Sequence, residues 1–406
     1  MPTRTLASLI AEFGGLLQTG PFGSQLHQHD YTDEGVPVVM PKDIIAGRVN
    51  ECSVARIPEA KARQLSRHML KFGDIVFPRR GDIGRCALIG KDEEGFLCGT
   101  GCIKIELPKE IYSPRFLYYY LGLRNVVEWL ERNAIGTTML NLNTSILGGV
   151  QIPDVDLAFQ EHIVGVLGTY DDLIENNRRR VQLLEQAARL LYKEWFVHLR
   201  FPGYEHVKIK AGVPEGWEKT TAFDIMEVLS GGTPKTDVPN YWDGEIPFFT
   251  PKDAVDYAYA FDTEKKITEE GLRNCNSRLY PKDTVFITAR GTVGKINLAQ
   301  TAMAMNQSCY ALVAKPPLNQ YYLYFALVEG VEEFRSRAVG AVFDAIIRDT
   351  FKLIPFVVPD EKLIRMFTDH VSPILNQIDV LASQTRKLAE ARDLLLPRLM
   401  NGEIVI

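Results

Sequence analysis

The chain repeats itself once, and that repeat limits it to architectures built from two like halves. Val36-Pro37-Val38-Val39-Met40-Pro41-Lys42-Asp43 matches Ile246-Pro247-Phe248-Phe249-Thr250-Pro251-Lys252-Asp253, 210 residues further on. The segment from Gly73 to Gly81 resembles the segment from Lys282 to Gly291, with one residue inserted. Arg80-Gly81-x-x-Gly84-Arg85 then aligns with Arg290-Gly291-x-x-Gly294-Lys295. Phe116–Leu121 pairs with Tyr322–Leu327, and Gly149–Pro153 with Pro355–Pro359. One such match arises by chance; an ordered series does not. The unit repeated is half the chain, not the ~20–50-residue period of a solenoid.

Each repeat ends in a helical stretch. In the first, apolar positions run Ile163, Leu167, Tyr170, Ile174, Asn177, Val181, Leu184, Ala188 and Leu191, alternating steps of four and three. The second gives Phe367, Val371, Ile374, Ile378, Leu381, Thr385, Leu388, Arg392 and Leu395, every member 204 residues after its counterpart. That spacing is the a/d seam of a coiled coil, so helix-on-helix packing is expected. The alternative is that each helix packs on its own globular domain. The residues between seam positions are polar, Asp171, Asp172, Glu175 and Arg178 to Arg180 among them. At 1.5 Å per residue, ~30 residues make a rod of ~45 Å. Asn177, Thr385 and Arg392 are polar seam positions suited to fixing register. Arg392 is equally suited to snorkelling at a fraying end.

Between the helices each half reads as a mixed α/β domain. Strands are expected at Val36–Met40, Asp74–Phe77, Ile103–Leu107, Thr284–Thr288 and Tyr310–Val313, where β-branched and aromatic runs are bounded by turn residues. Helices are expected at Pro114–Glu131 and Gln320–Arg337. Pro153 and Pro359 end the globular parts. The chain thus divides into a domain over 1–155, a helical region over 156–200, a linker and second domain over 201–359, and a closing helical region over 360–406.

Composition excludes several classes. No apolar run approaches the ~18–20 residues of a membrane span, and the N-terminus lacks a signal-peptide layout, so a cytoplasmic protein with no membrane contact is expected. Cys52, Cys86, Cys98, Cys102, Cys275 and Cys309 form no CxxC pair, which favours buried thiols over a metal site. The net charge of −5 disfavours indiscriminate nucleic-acid binding. A DNA role therefore needs positive charge concentrated locally, and partners to add contact area.

Motifs of catalysis are missing. Gly90-Lys91 is followed by Asp92 and Gly294-Lys295 by Ile296, so neither is a Walker A loop. No GxGxxG opens a helix, and no Asn-Pro-Pro or Asp-Pro-Pro precedes an aromatic. Pro359-Asp360-Glu361-Lys362 superficially resembles a nuclease carboxylate–lysine set but sits where a helix start favours acidic residues. What remains suits phosphates and base edges. The basic loops carrying Arg79, Arg80, Gly81 and Arg85, and Arg290, Gly291 and Lys295, occupy equivalent places. Their glycines allow close backbone approach, and arginine binds phosphate or, bidentately, guanine. A second equivalent pair of loops holds Ser24, in Gly20-Pro21-Phe22-Gly23-Ser24, and Lys235, in Ser230-Gly231-Gly232-Thr233-Pro234-Lys235. Lys42 and Lys252 complete the candidates. Tyr118, Tyr119 and Tyr120 read as helix packing rather than base stacking.

These segments, in this order, resemble the specificity (S) subunits of Type I restriction-modification systems over nearly the whole chain. Also similar are Tyr192-Lys193-Glu194-Trp195-Phe196 leading to Phe201-Pro202-Gly203, Val213-Pro214-Glu215-Gly216-Trp217, and Leu394-Leu395-Leu396-Pro397-Arg398-Leu399. Gly84-Arg85 departs from the more usual Gly-Lys of the second half. The resemblance implies two target-recognition domains separated by two long antiparallel coiled-coil helices. Each domain would read one half of a bipartite site in double-stranded DNA. The helices would set the spacing and dock two methyltransferase (M) subunits, with restriction-translocase (R) subunits joining. It implies a non-catalytic chain binding no cofactor, with S-adenosylmethionine, ATP and magnesium used by the partners. Ile174, Asn177, Val181, Leu184, Ile378, Leu381 and Leu388 are the expected helix-pairing residues. The competing readings are a single-chain enzyme carrying a DNA-reading domain and a coiled-coil scaffold that binds only protein.

Overall fold

A computed structural model describes residues 2–45, 47–51, 54–136, 140–338 and 345–404. Its contacts separate two compact units, Met1–Asp172 with Ala389–Ile406, and Leu173–Leu388. Each unit holds one globular α/β domain and a segment from each of two long helices, Leu157–Tyr192 and Glu361–Met400. The unit boundaries therefore cross both helices rather than falling at their ends.

In the first unit a four-stranded antiparallel sheet runs in the order Leu16–Thr19, Cys102–Glu106, Ile75–Pro78, Ala87–Leu88. Ile75, Val76 and Phe77 are fully buried, as β-branched and aromatic residues are when both faces of a strand are covered. A second sheet places Val36–Val39 antiparallel to Ala55–Ile57 and parallel to Leu97–Cys98. A ribbon of Thr3–Thr5 with Gln151–Pro153 closes the domain. Leu6, Phe77, Phe116 and Leu130 share the core with Leu167 of the first long helix and with Leu399 and Met400 of the second.

The second unit is built alike. Met226–Ser230, Cys309–Ala314, Val285–Thr288 and Ile296–Ala299 form an antiparallel series, to which Tyr259–Ala260 adds a parallel edge. Trp242–Phe249 lies antiparallel to Lys266–Ile267 and parallel to Ala304–Met305. Glu218–Thr221 pairs with Pro355–Val358. The duplication thus extends to strand order, direction and register: Ile75 faces Leu88 where Val285 faces Leu298, and Cys102 faces Pro78 where Cys309 faces Thr288. Thiols of Cys86, Cys98, Cys102 and Cys309 are buried, while Cys52 lies outside the described residues.

Two expectations need correction. The Gly73 segment aligns with no insertion, because the Gly73 N–H donates to the Ile89 carbonyl as that of Asp283 does to Ala299, each pair 210 residues apart. The shared Asp-hydrophobic pattern had pulled the alignment by one. The helix expected at Pro114–Glu131 is two, Pro114–Leu121 and Arg124–Asn133, interrupted at Gly122. Glycine weakens a helix interior. The equivalent helix, Gln320–Ala338, has Val328 there and runs through.

The long helices pair within each unit. In the second, Tyr192 rings meet Phe367 at 5.7 Å, and Val181 and Ala188 share a core with Val371, Ile378 and Leu381. In the first, Arg392 donates to Asp171 at 2.7 Å. The C-terminal part of one helix meets the N-terminal part of the other in both cases, so the pairing is antiparallel. The buried face is wider than a two-stranded seam. Tyr192 and Leu375 are buried, whereas Leu191 and Ile374, expected in the seam, are only half-buried. Tyr192 also packs on Tyr322 and Phe325 of the globular domain. The two alternatives posed by the heptads therefore hold together: each helix packs on its partner and on a domain.

Among the polar seam positions, Asn177 is buried, Thr385 bonds back to the Leu381 carbonyl of its own helix, and Arg392 is held by Asp171 and Asp393. Asp171 also accepts from the Tyr119 hydroxyl, so Tyr119 packs against the helix. Glu185 accepts the Ala258 N–H at 2.5 Å. Burial lifts its carboxyl from the ordinary 4.5 to about 7, against the opposing pull of that hydrogen bond. Between those values the folded unit keeps a proton that the unfolded chain has released, so stability falls as pH rises from 4.5 to 7. Glu185→Gln should therefore stabilise the unit at pH 8, by about 2 kcal/mol allowing for partial water screening, and leave it unchanged near pH 4. Urea unfolding of both forms at the two pH values checks this.

Candidate nucleic-acid interface

Four loops come together at one end of the strands in each unit. The first follows the buried central strand. Gly81 and Gly291 stand at φ 82° and 80°, the left-handed region where a side chain is disfavoured, and they turn the chain sharply. Arg80 and Arg290, immediately before, are exposed. Arg79 is half-buried, and its Nε–H donates to the Leu142 carbonyl at 3.4 Å.

The second loop is the Pro-Lys-Asp turn. Asp43 accepts the Met40 N–H at 2.9 Å and Asp253 the Thr250 N–H at 2.8 Å, closing the turn from inside. The lysine between is thereby left outside, and Lys42 and Lys252 are both exposed. The third loop is held by glycine. A Cβ on Gly20 would collide with the Gly99 carbonyl, and one on Gly231 with that of Asn306. Ser24 and Lys235 are exposed beyond it.

The fourth loop, Gly99-Thr100-Gly101 and its equivalent Asn306-Gln307-Ser308, escaped the sequence reading. It ties the others together. Gly99 N–H donates to Val39 O and Asn306 N–H to Phe249 O, while Gly101 O accepts from Arg79 N–H and Ser308 O from Ala289 N–H. The signal was the cysteine that follows each turn, Cys102 and Cys309, 207 residues apart, but the turns themselves share no residue.

In the second unit the loops enclose a groove of about 390 Å³ that brings together Thr233, Lys252, Arg290, Gly291 and Ser308. Trp242 lines it with Lys265, whose ammonium lies 5.3 Å from the ring, and both were missed. Lys235 meets the groove through its carbonyl, which accepts the Trp242 Nε1–H at 3.1 Å. Lys295 is not part of the lining; its ammonium is engaged by the Asp256 carboxylate. In the first unit Arg85 is similarly engaged, by Asp82 at 3.6 Å and the Pro41 carbonyl at 3.5 Å. Phe22, 58% exposed, stands in place of Thr233 and offers an apolar contact of the kind that suits a thymine methyl.

Clustered cations on glycine-shaped turns, beside an aromatic ring, match phosphate backbone and base edges. Among the described residues no group of His, Cys, Asp and Glu is arranged to hold a metal ion. Asp360, from the carboxylate–lysine set, caps the second long helix through the Lys362 N–H. Also among the described residues, no helix is long and apolar enough to cross a membrane.

Two like α/β domains, each with the same loop cluster, make this a duplicated protein. The chain belongs to the Type I restriction modification DNA specificity domain family, whose model matches residues 64–186 and 214–378. It is 25% identical to the Type I restriction enzyme MjaIX specificity subunit of Methanocaldococcus jannaschii, over 92% of this chain and 88% of that one. It is 21% identical to the HindI specificity subunit of Haemophilus influenzae, over 89% and 93%. The crystal structure of the S subunit of a Type I restriction-modification system from M. genitalium shares the fold, with a TM-score of 0.57 at 21% identity, covering 98% of this chain and 95% of that one.

Proposed function

We propose that this chain is the specificity subunit of a Type I restriction-modification complex, each domain reading one half of a bipartite DNA target. The observation that carries the reading is the loop cluster built twice, with an exposed arginine before a left-handed glycine at the same place in both domains. The paired helices set the distance between half-sites and dock two methyltransferase subunits; restriction-translocase subunits join that core. The chain itself is non-catalytic. S-adenosylmethionine, ATP and magnesium serve the partners, and the complex works in the cytoplasm. An overall charge of −5 fits a subunit whose partners contribute much of the DNA clamp.

Adenine-methylation mapping tests this in cells expressing the chain with its methyltransferase subunit. The expected result is methylation at one split sequence, lost when either subunit is omitted. The purified chain alone should neither methylate nor cleave DNA. Methyl transfer by the isolated chain would favour the single-chain enzyme, and assembly without any sequence preference would favour the protein-only scaffold.

A further inference from the structure

We propose that Gln307 is a base-reading residue of the second domain, directed at an adenine in the second half-site; this rests on the DNA-reading function proposed above. The two fourth loops share their anchoring hydrogen bonds, although Gly101 stands at φ 91° and its equivalent Ser308 is not in the left-handed region. Three anchors are equivalent: Gly99 N–H to Val39 O and Asn306 N–H to Phe249 O, Arg79 N–H to Gly101 O and Ala289 N–H to Ser308 O, and Cys102 N–H to Gly99 O and Cys309 N–H to Asn306 O. In the first domain the turn is Gly99-Thr100-Gly101. Its single polar side chain is committed, because the Thr100 hydroxyl donates to the Pro21 carbonyl at 2.9 Å. In the second domain the turn carries two amides. That of Asn306 is half-buried and turned back on the loop, where its Oδ1 accepts the Ser308 N–H at 3.0 Å. Gln307, at the tip, is exposed.

Gln307 is also held. The Thr233 hydroxyl donates to its Oε1, which restrains the amide. A carboxamide oxygen has a second lone pair and the nitrogen two protons, so one acceptor and two donors remain. That is the complement of the adenine major-groove edge, where N7 accepts and N6–H donates; guanine offers two acceptors and suits arginine instead. Arg290 lies beside it, since its N–H and that of Ala289 both donate to Ser308 O. Lys252, paired with Glu264 at 3.7 Å, and Lys265 line the groove that Arg290 also lines, a setting suited to a backbone phosphate. Holding the amide in place before DNA arrives lowers the ordering cost of the contact.

The test uses the full chain assembled with its methyltransferase subunit, on duplexes carrying the mapped target. Each base pair of both half-sites is exchanged in turn, and each adenine of the second half-site is replaced by 7-deazaadenine, which lacks N7. Gln307→Ala should weaken binding to the intact target about 10- to 100-fold. It should also abolish discrimination at one A·T pair of the second half-site, at unchanged salt dependence. The 7-deazaadenine at that pair should weaken the unmodified complex and leave the variant indifferent. Thr233→Val should give a smaller loss at the same pair. Equal weakening for all sequences with a shallower salt slope would overturn the proposal in favour of phosphate contact. An effect confined to the first half-site, or none at all, would overturn it too. If the unmodified complex selects no sequence, the DNA-reading function itself fails, which is a separate result.

Discussion

Aspartate at both Ile174 and Ile378 is expected to unfold the second unit and abolish assembly with the methyltransferase. Ile378 is fully buried and Ile174 nearly so, Ile378 in a core shared by the helices and the globular domain. A carboxylate placed there loses its hydration among apolar neighbours. Loss of a buried ion's partner costs about 3–5 kcal/mol, and a whole domain is stable by only about 5–15 kcal/mol. Two such sites exhaust much of that margin. Urea titration should show the second unit unfolding at markedly lower denaturant, while the first, whose core holds neither residue, keeps its transition. Because the helices pack on the domain as well as on each other, the damage should reach the fold and not the rod alone. Normal assembly of the double variant would count decisively against the paired helices.

Alanine at Arg80 should impair one half-site, and alanine at Arg290 the other. Both arginines are exposed at the same point of the same turn. If the guanidinium reaches a base edge, its loss costs about 1–3 kcal/mol and relaxes preference at a single position. If it reaches phosphate, all sequences bind more weakly and the salt slope falls by about one unit. Affinities of the assembled complex for half-site variants at several salt concentrations separate the two. Arg79 is the better phosphate candidate, because its guanidinium is anchored to Leu142 O and has less freedom to enter a groove. Should both variants behave like the parent, the loops are structural turns and the reading surface lies among the remaining loops.

The duplication was legible because buried strands and glycine turns constrain residue type tightly. Ile75-Val76-Phe77 and Val285-Phe286-Ile287 need apolar residues on both faces, and Gly81 and Gly291 need φ near +80°. The Pro-Lys-Asp turns were visible for the same reason, since only a short acceptor side chain closes them from within. The Gly99 and Asn306 turns were not, because backbone hydrogen bonds hold them and leave the side chains free to differ. Trp242 and Lys265 were hidden likewise, as the ammonium and the ring meet only through the fold. Heptad spacing identified the helices correctly. It misplaced Tyr192 and Leu375, because spacing encodes one partner and these helices have two.

The segment 389–404 closes the core of the first domain, where Leu399 and Met400 are buried with Leu6 and Leu9. Protein chains emerge from the ribosome N-terminus first, and their domains usually fold in that order. Here the first domain lacks part of its interior until residues 389–404, which follow the whole second unit, have been made. Contacts that join such distant residues carry a loop-closure cost, which slows their formation. During synthesis the second unit has all its residues, Leu173–Leu388, before the first is complete. The nascent first domain therefore keeps an incomplete core, without Leu399 and Met400, until the whole second unit has been made.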